Sequence, residues 1–276
     1  MNSKICEHIV NEGTYIPETD TVFPEKPDTP LWNPPLIKQL TFDKNYPFFD
    51  KSFKARLMNI LTYIGIFTIV FPLNTIRYGL KIKGRNNLKK CRKYFRNGAM
   101  TIANHVYRWD YLAVLQAVKY RRMWFPAKTR NILTSDGNII RFAGGIPIPE
   151  DISVIRNFND AFDYLHSKKK WFHVFPESCR WDFYEPIRPF RKGAFSIAYK
   201  YNLPIIPMVF SYRKPSGLYK LFGVKHPLLT LTIGEVQFFD KSLRRSEAIN
   251  LMRKKCHEEM VKNAGISSNC WEYAGD

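Results

Sequence analysis

Acidic residues are scarce over most of this 276-residue chain. Residues 1–50 carry four lysines and eight acids, whereas the rest of the chain carries 39 bases and only 16 acids. The formal net charge of the whole chain is therefore +19. Such a surplus favours polyanionic partners, namely nucleic acid, an anionic lipid surface or phosphorylated small molecules, and charge alone does not choose among them.

Closely spaced cysteines are lacking as well. No Cys-x-x-Cys pair occurs, which argues against a zinc module and against a disulfide framework; the cysteines are Cys6, Cys91, Cys179, Cys256 and Cys270. The first twenty residues lack the apolar run of a signal peptide, so we expect no export. No zinc-finger, helix-turn-helix or RNA-recognition motif accompanies the basic surplus, so we expect no nucleic acid partner.

The first part of the chain divides into an arm and an apolar segment. Residues 1–52 are acidic and rich in proline, which predicts an extended arm lying against the main body. Residues 57–76 contain no charge, and we predict a membrane-associated helical segment over 53–77. Pro72 should end or kink that helix. A full span, an interfacial or re-entrant helix and an ordinary core helix remain as alternatives.

A strongly basic stretch follows the apolar segment. Nine bases and no acid lie between Arg77 and Arg96. Next to an apolar helix, such a stretch is attracted to an anionic leaflet by ~1 kcal/mol per base. The alternative is a solvated helix face on a basic protein. We expect an anionic bilayer surface as a partner and membrane association at the cytoplasmic face.

Strand and helix signals alternate beyond residue 78. Strands are predicted at 80–83, 99–103, 145–148, 171–175, 204–210 and 230–233, and helices at 110–120, 151–167, 192–201 and 245–263. This alternation is typical of an α/β fold with a mixed, largely parallel central sheet flanked by helices. We predict a catalytic domain over 78–240 and a C-terminal helix and tail over 241–276.

A histidine and an acid stand five residues apart at the exit of the strand predicted at 99–103. On one continuous helix, His105 and Asp110 would point about 140° apart and could not touch. They can touch if His105 lies in the loop after the strand and Asp110 opens the next helix, whose N-terminus stabilises a carboxylate. Asp110 would then orient the imidazole, leaving the other ring nitrogen free to act as a base.

A second polar cluster follows the strand predicted at 171–175. An acid, Glu177, is followed by several cations before a small pair at 193–194; the cations are Arg180, Arg188, Arg191 and Lys192. Arginine forks match phosphate oxygens, and an acid can bind a hydroxyl group or order the cations. This stretch therefore suits an acceptor that carries phosphate, although a surface loop with salt bridges is the alternative.

Four motifs together resemble a known family. They are Asn104-His105-x-x-x-x-Asp110, GGIPIP at 144–149, FPESCR at 175–180 and LPIIPMV at 203–209. In this order and approximate spacing they resemble the motifs of glycerolipid acyltransferases of the 1-acylglycerol-3-phosphate O-acyltransferase, or lysophospholipid acyltransferase, type. The resemblance covers about residues 78–240, and the first and third motifs in combination are specific.

The resemblance implies a function in phospholipid biosynthesis. A fatty acyl group would move from acyl-CoA or acyl carrier protein, as substrate, directly to a hydroxyl of a lysophospholipid such as 1-acylglycerol-3-phosphate. His105 would be the general base and Asp110 its orienting partner. No metal or redox cofactor is implied. The residues implied to bind the acceptor are Glu177, Arg180, Lys192 and Gly193, with Arg188 among the cations of the same stretch, and those of the second motif are Gly145, Ile146 and Glu150.

Two departures from the family pattern bear on the acceptor. Ser178 and Cys179 stand where the third motif usually has Gly-Thr, and Glu150 stands where the second motif usually has a phosphate-binding arginine. Arg141 or Arg156 could replace that arginine. The alternatives are therefore a lysophospholipid with another headgroup, a glycolipid or aminolipid acceptor, and a non-catalytic lipid-binding protein. A third is a hydrolase that uses the same histidine and acid, and the lack of a nucleophile and of metal ligands argues against it.

Overall fold

The computed structural model describes residues 7–274, which form two sheets. The strands are β1 (Ile9–Val10), β2 (Lys81–Lys83), β3 (Met100–Ala103), β4 (Met123–Lys128), β5 (Gly145–Ile148), β6 (Trp171–Val174), β7 (Ile205–Arg213), β8 (Leu228–Ile233) and β9 (Ile266–Ser268). β1 and β9 pair with each other, and the remaining strands form a seven-stranded sheet.

The large sheet has the strand order β2-β8-β7-β3-β6-β4-β5. The five strands from β7 to β5 run parallel, whereas β8 is antiparallel to β7 and β2 is parallel to β8. The predicted mixed, largely parallel sheet is therefore confirmed. Because parallel strands end at the same edge of a sheet, the loops after β3, β4, β5 and β6 meet along one edge.

Helices cover both faces of the large sheet. They are α1 (Phe53–Gly65), α2 (Phe71–Tyr78), α3 (Arg85–Lys90), α4 (Asp110–Ala117), α5 (Thr129–Ile132), α6 (Gly137–Ala143), α7 (Ile155–Ser167), α8 (Lys192–Lys200), α9 (Leu218–Leu221) and α10 (Arg245–Ala264). α7, α8 and α10 pack in one core cluster, and α2 and α4 pack in a second. The predicted helices thus correspond to α4, α7, α8 and α10, and the short α3, α5, α6 and α9 were not predicted.

β4 is a strand that the sequence pattern did not indicate. Pro126 lies in its middle, and proline is rare inside strands because it has no N–H to donate. The pairing explains how it is tolerated. β4 pairs with β6 only at Met123 and Trp124, so Pro126 lies beyond that ladder and stands opposite Ile146 of β5 alone.

The apolar segment forms one unbroken helical run, Phe53–Tyr78. α1 passes through a π-helical turn at Ile66–Val70 directly into α2. Of the two outcomes expected at Pro72, the helix does not end there, and the irregularity falls in the turn just before it. A π-helical turn alters the hydrogen-bond ladder, which accommodates a proline ring and its missing donor.

This helix exposes its apolar side chains. Only 17% of its most apolar 18-residue stretch is buried, so an ordinary core helix is excluded as an interpretation of this segment. Its protein-facing side includes the polar residues Asn59 and Asn74 instead, and Asn74 donates a hydrogen bond to the Tyr107 hydroxyl at 3.1 Å. This pattern is the reverse of a helix at a protein–water boundary. By length and composition, Phe53–Tyr78 could cross a bilayer.

The N-terminal arm lies against the main body, as expected. The ring of Phe23 packs on Trp181 and Tyr184, and the amides of Ile37 and Lys38 both donate to the carbonyl of Leu133. These contacts tie the arm to two distant parts of the domain.

The cysteines differ in one respect from the expectation. Cys91, Cys179 and Cys256 are free thiols, but Cys270 is disulfide-bonded, which the cysteine spacing did not predict. Cys6 lies outside the described residues.

Candidate active site

His105 and Asp110 meet in the loop between β3 and α4. The imidazole Nδ1 lies 2.6 Å from Asp110 Oδ2. His105 stands in the loop two residues after β3, and Asp110 is the first residue of α4, which is the arrangement that the five-residue spacing requires. The Asp110 side chain is 1% exposed and that of His105 is 23% exposed. The Nδ1 edge of the His105 ring is therefore held by a buried carboxylate, while part of the ring remains accessible from outside the protein.

The loop itself fixes the orientation of the Asp110 carboxylate. Asp110 Oδ2 also accepts from the amide of Val106 at 2.9 Å and from the amide of Tyr107 at 3.4 Å. The carboxylate also lies in the first turn of a helix, where the helix dipole stabilises negative charge. With the Nδ1 proton donated to this carboxylate, the Nε2 atom of His105 carries the lone pair.

An aromatic stack, which the sequence pattern did not indicate, positions the histidine ring. The ring of Phe175 lies flat on the imidazole of His105, with centroids 4.1 Å and planes 12° apart. The ring of His173 packs edge-on against Phe175, with centroids 4.4 Å apart. Burial lowers the pKa of His173 to about 3, with the nearby His105 as a secondary cause, so this second histidine is neutral at physiological pH.

Glu177 and Arg188 form a buried ion pair directly behind the histidine. Arg188 Nη2 donates to Glu177 Oε2 at 2.8 Å, and the Arg188 amide donates to Glu177 Oε1 at 3.0 Å. Glu177 Oε2 also accepts from the backbone amide of His105 at 3.1 Å. This carboxylate therefore joins the loop after β6 to the loop after β3 and holds the backbone of His105 in place.

The predicted acceptor-binding role of Arg188 does not agree with its position. Its side chain is 1% exposed, and its second terminal nitrogen donates to the carbonyl of Pro27 at 2.9 Å and to Cys179 Sγ at 3.1 Å. The guanidinium group also lies over the ring of Trp181. We therefore correct the sequence prediction: Arg188, and Glu177 with it, act as structural supports of the loop. Spacing alone could not reveal this, because it depends on burial.

Arg180 is the cation of this stretch that stays near the histidine with part of its surface open. Its Nε atom lies 2.7 Å from Asp182 Oδ1. Burial raises the pKa of Asp182, and the charge of Arg180 partly offsets this. The charges of Asp110 and His105 also influence Asp182, so the Arg180–Asp182 pair lies beside the dyad. The predicted role of Arg180 in binding the acceptor stays a prediction.

Lys192 and Gly193 occupy the first two positions of α8 and are both exposed. Within residues 7–274, no hydrogen bond or ion pair joins Lys192 to the dyad or to Arg180. Their predicted role in binding the acceptor thus stays a prediction.

The second motif forms the edge strand β5. Gly145 packs so closely on α6 that an added Cβ atom would lie 2.8 Å from Ile140, and Ile146 is buried in the core. These two residues are therefore scaffold. Glu150 follows the strand at the exposed carboxyl edge and accepts a hydrogen bond from the hydroxyl of Thr129, the first residue of α5.

Arg141 and Arg156 were considered as replacements for the expected arginine, and a phosphate-binding role of Arg156 stays a prediction. Arg141 lies 3.5 Å from the carboxylate of Asp50, and Arg156 is exposed on α7. The edge of the sheet at the second motif thus carries a carboxylate where a phosphate-binding arginine was expected. In the part of the chain that the structure describes, no cluster of three potential metal ligands occurs.

Residues 79–211 match the family model described as Acyltransferase. These residues therefore form a domain that resembles the acyltransferase family. The prediction made from the four motifs is thereby confirmed. The match begins just after α2 and includes the dyad, both loops that hold it, β5 and nearly all of β7.

The solved structure of the 1-acyl-sn-glycerophosphate (LPA) acyltransferase PlsC from Thermotoga maritima is similar, at a TM-score of 0.42 and 18% identity. The similarity covers 76% of this chain and 84% of that chain. No curated protein matches the chain.

Proposed function

We propose that this acyltransferase moves a fatty acyl group from acyl-CoA or acyl carrier protein to a hydroxyl of a lysophospholipid, such as 1-acylglycerol-3-phosphate, in phospholipid biosynthesis. The observation that carries the proposal is the 2.6 Å contact between His105 Nδ1 and the buried Asp110 at the carboxyl edge of the sheet. A histidine held in this way by a carboxylate is suited to general-base catalysis.

The reaction would proceed by direct transfer. His105 Nε2 takes the proton of the acceptor hydroxyl while the hydroxyl oxygen attacks the thioester carbonyl carbon. Collapse of the tetrahedral intermediate breaks the carbon–sulfur bond, and the imidazolium returns its proton to the thiolate that leaves. Asp110 stabilises the imidazolium between these two steps. The flat stack on Phe175 keeps the ring in one orientation throughout.

The environment of Cys179 supports direct transfer over an acyl-enzyme. Its side chain is buried, and its sulfur contacts the carbonyls of Pro27 and Thr29 and the guanidinium of Arg188. A nucleophilic cysteine has to reach its substrate and needs a base beside it. Cys179 points into the interface between the arm and the third motif instead, so it is no candidate for a covalent intermediate.

A cationic or uncharged headgroup is the second candidate for the acceptor, and Glu150 favours it. An exposed carboxylate repels the phosphate of 1-acylglycerol-3-phosphate but attracts an ammonium group. Arg180 could still hold a phosphate diester beside the dyad. An aminolipid or a lysophospholipid with a cationic headgroup therefore fits both charges.

Membrane association is part of the proposal. The exposed apolar side chains of Phe53–Tyr78 would enter the bilayer, and all nine bases between Arg77 and Arg96 are exposed. Positive charge beside an inserted helix favours the anionic cytoplasmic leaflet. The lysophospholipid would then reach His105 from the bilayer, and the soluble acyl donor would reach it from the cytoplasm.

Product identification tests the proposal. The protein, purified with native lipids, is incubated with radiolabelled acyl-CoA or acyl carrier protein and with a panel of lysolipids that differ in headgroup. We expect label in a diacyl product. Faster turnover of lysophosphatidate would support the first candidate, and faster turnover of an acceptor with a cationic or uncharged headgroup would support the second. Label in free fatty acid would indicate a hydrolase. Lipid binding without any labelled product would indicate the non-catalytic alternative.

The Glu150→Arg variant tests the role of Glu150 in this choice. We expect a higher ratio of lysophosphatidate turnover to turnover of the zwitterionic acceptors, because the substitution restores a cation at this edge. The same substitution at an exposed acid of α10, Glu258→Arg, serves as the control. An unchanged acceptor ratio in Glu150→Arg would remove Glu150 from the acceptor site.

A further inference from the structure

A second exposed apolar surface lies in the loop between β7 and β8. Residues Leu218, Leu221 and Phe222, in and just after α9, are 68%, 77% and 76% exposed. Their spacing places all three on one outward face, whereas Tyr219 on the other side is half-buried. Transfer of large apolar side chains out of water is favourable, so three together form a surface with a strong tendency to leave water.

The fold holds this loop against the end of the membrane-associated helix. Tyr219 Oη donates to the carbonyl of Ile76 at 2.6 Å, and its ring also packs on Gly79. Leu218, Leu221 and Phe222 form the tip of this loop. Gly217 and Gly223 flank the tip with φ values of +56° and +65°, a backbone conformation that is unfavourable for residues other than glycine. The position and direction of the tip are therefore set by the fold.

The charge around the tip has one sign. Lys214, Lys220 and Lys225 are all exposed, and no acidic residue occurs between Glu185 and Glu235. Lysines that surround exposed apolar side chains can bind anionic headgroups while the apolar groups enter the acyl region beneath them. This charge complements an anionic lipid surface.

We propose that Leu218, Leu221 and Phe222 insert into the bilayer as a second, shallow membrane contact. This inference rests on the proposed membrane association of Phe53–Tyr78. The two surfaces are continuous, because Leu73 and Ile76 are exposed at the end of the helix that Tyr219 contacts. The bilayer would then hold the domain at two points, which fixes its orientation as well as its attachment.

A second membrane contact at this loop would also fix the distance between the active site and the bilayer surface. The ring of His226, at the end of the loop, lies 4.8 Å from the ring of Tyr78. Tyr78 in turn lies 4.9 Å from the ring of Tyr107, two residues after the catalytic histidine. The loop that carries α9 thus connects through two ring contacts to the loop that carries His105.

Depth-dependent fluorescence quenching tests the inference. The full chain carrying Phe222→Cys is labelled with an environment-sensitive fluorophore and reconstituted into phosphatidylcholine–phosphatidylglycerol vesicles that contain doxyl-labelled lipid. The control is Lys255→Cys, at an exposed position of α10. This helix packs in the core cluster that also contains α7 and α8. Wild type treated with the same reagent gives the background from native thiols.

We expect quenching at position 222 to exceed that at position 255 by at least about twofold, with a blue-shifted emission, as for a group at the headgroup–acyl boundary. Equal quenching at the two positions in membrane-bound protein would overturn the inference. So would a shift at position 222 that depends on protein concentration and not on the quencher, which would indicate contact with a second copy of the chain.

Acyl transfer is measured on the same labelled protein so that the two proposals can fail separately. Quenching at position 222 without acyl transfer would contradict the proposed function and leave the inference standing. Acyl transfer without quenching at position 222 would contradict the inference alone.

Discussion

At the scale of single residues, one carboxylate oxygen organises the candidate site. Asp110 Oδ2 accepts from the His105 ring and from two backbone amides, so it fixes the loop and the imidazole together. Its charge has a separate role, because a neutral amide could keep the backbone contacts without stabilising an imidazolium.

The Asp110→Asn variant separates these two roles. We expect the fold to persist and kcat to fall by roughly 10³–10⁴, since the wrong histidine tautomer and the loss of charge both disable the base. Steady-state kinetics measures kcat, and circular dichroism shows whether the fold persists. A decrease of kcat smaller than tenfold in a folded variant would mean that Asp110 does not support catalysis.

Ser178 has a left-handed backbone conformation, with φ of +65°. A non-glycine residue there costs roughly 1–2 kcal/mol relative to glycine, so Ser178→Gly should raise the free energy of unfolding by about 1 kcal/mol. Thermal or denaturant unfolding measures the change. Ser216→Gly is the control. Ser216 is exposed and has no positive φ, so this change should not raise the free energy of unfolding. A destabilised Ser178→Gly would contradict the account of this turn.

The sequence predicted the dyad but not the residues that hold it. Local spacing sufficed for His105 and Asp110, because a strand end and a helix start set their geometry. Glu177 contacts the amide of His105 across 72 residues of chain, and the stack on Phe175 depends on how β6 lies beside β3. Such contacts follow from strand order and burial, which no local pattern encodes, and Arg188 was misassigned for the same reason.

At the scale of elements, the helical run Phe53–Tyr78 has the clearest distribution of apolar and polar side chains. Its exposed apolar side and its buried asparagines suit a helix with lipid on one side and protein on the other. The sequence predicted the segment nearly to the residue, because a charge-free run is a strong signal. It could not predict the π-helical turn, which is a local response to Pro72, or β4, where strand pairing decides whether a proline is tolerated.

The attachment of this helix can be tested by a salt wash of membranes. We expect wild type to stay bound at high salt, because screening weakens the polybasic attraction but not apolar insertion. The double variant Ile60→Asp/Ile64→Asp, on the exposed side, should be released, since each buried acid costs about 2.5–3.5 kcal/mol at mid-bilayer.

The control for that experiment is Ile9→Asp, an exposed apolar position on β1. It should stay bound like wild type. Release of wild type by salt alone would mean that charge, and not insertion, holds the protein on the membrane.

At the scale of the whole molecule, two buried histidines make the fold sensitive to acid. Burial lowers the pKa of His173 to about 3 and that of His257 to about 4. Unfolding exposes both groups to water, where a histidine binds its proton near pH 6.5. The unfolded state therefore binds more protons between about pH 6.5 and pH 4, and stability falls as pH falls through this range.

We expect each histidine to lower the free energy of unfolding by about 2 kcal/mol between pH 7.5 and pH 5. Denaturant midpoints at the two pH values measure the loss. His257→Gln can keep a donor for the carbonyl of Ile187 and should remove about half of the pH dependence. If wild type is equally stable at both pH values, these histidines are not buried as described.

The N-terminal arm connects the site to the rest of the molecule. Carbonyls of Pro27 and Thr29 accept from Arg188 and from the Trp181 indole at 2.9 and 2.8 Å, so the arm completes the support of the third motif. The sequence predicted that the arm would lie on the body, because its proline and aromatic content suits an extended segment. It could not predict where, since the partners are more than 150 residues away.

The central claim is that His105 is the general base of acyl transfer, and its removal tests this most directly. Initial rates are compared for wild type, His105→Ala and the control His166→Ala, a histidine on α7 outside the site, all bound equally to vesicles. We expect His105→Ala to lose at least about 10³-fold in rate and His166→Ala to match wild type. A rate for His105→Ala within tenfold of wild type would contradict the account.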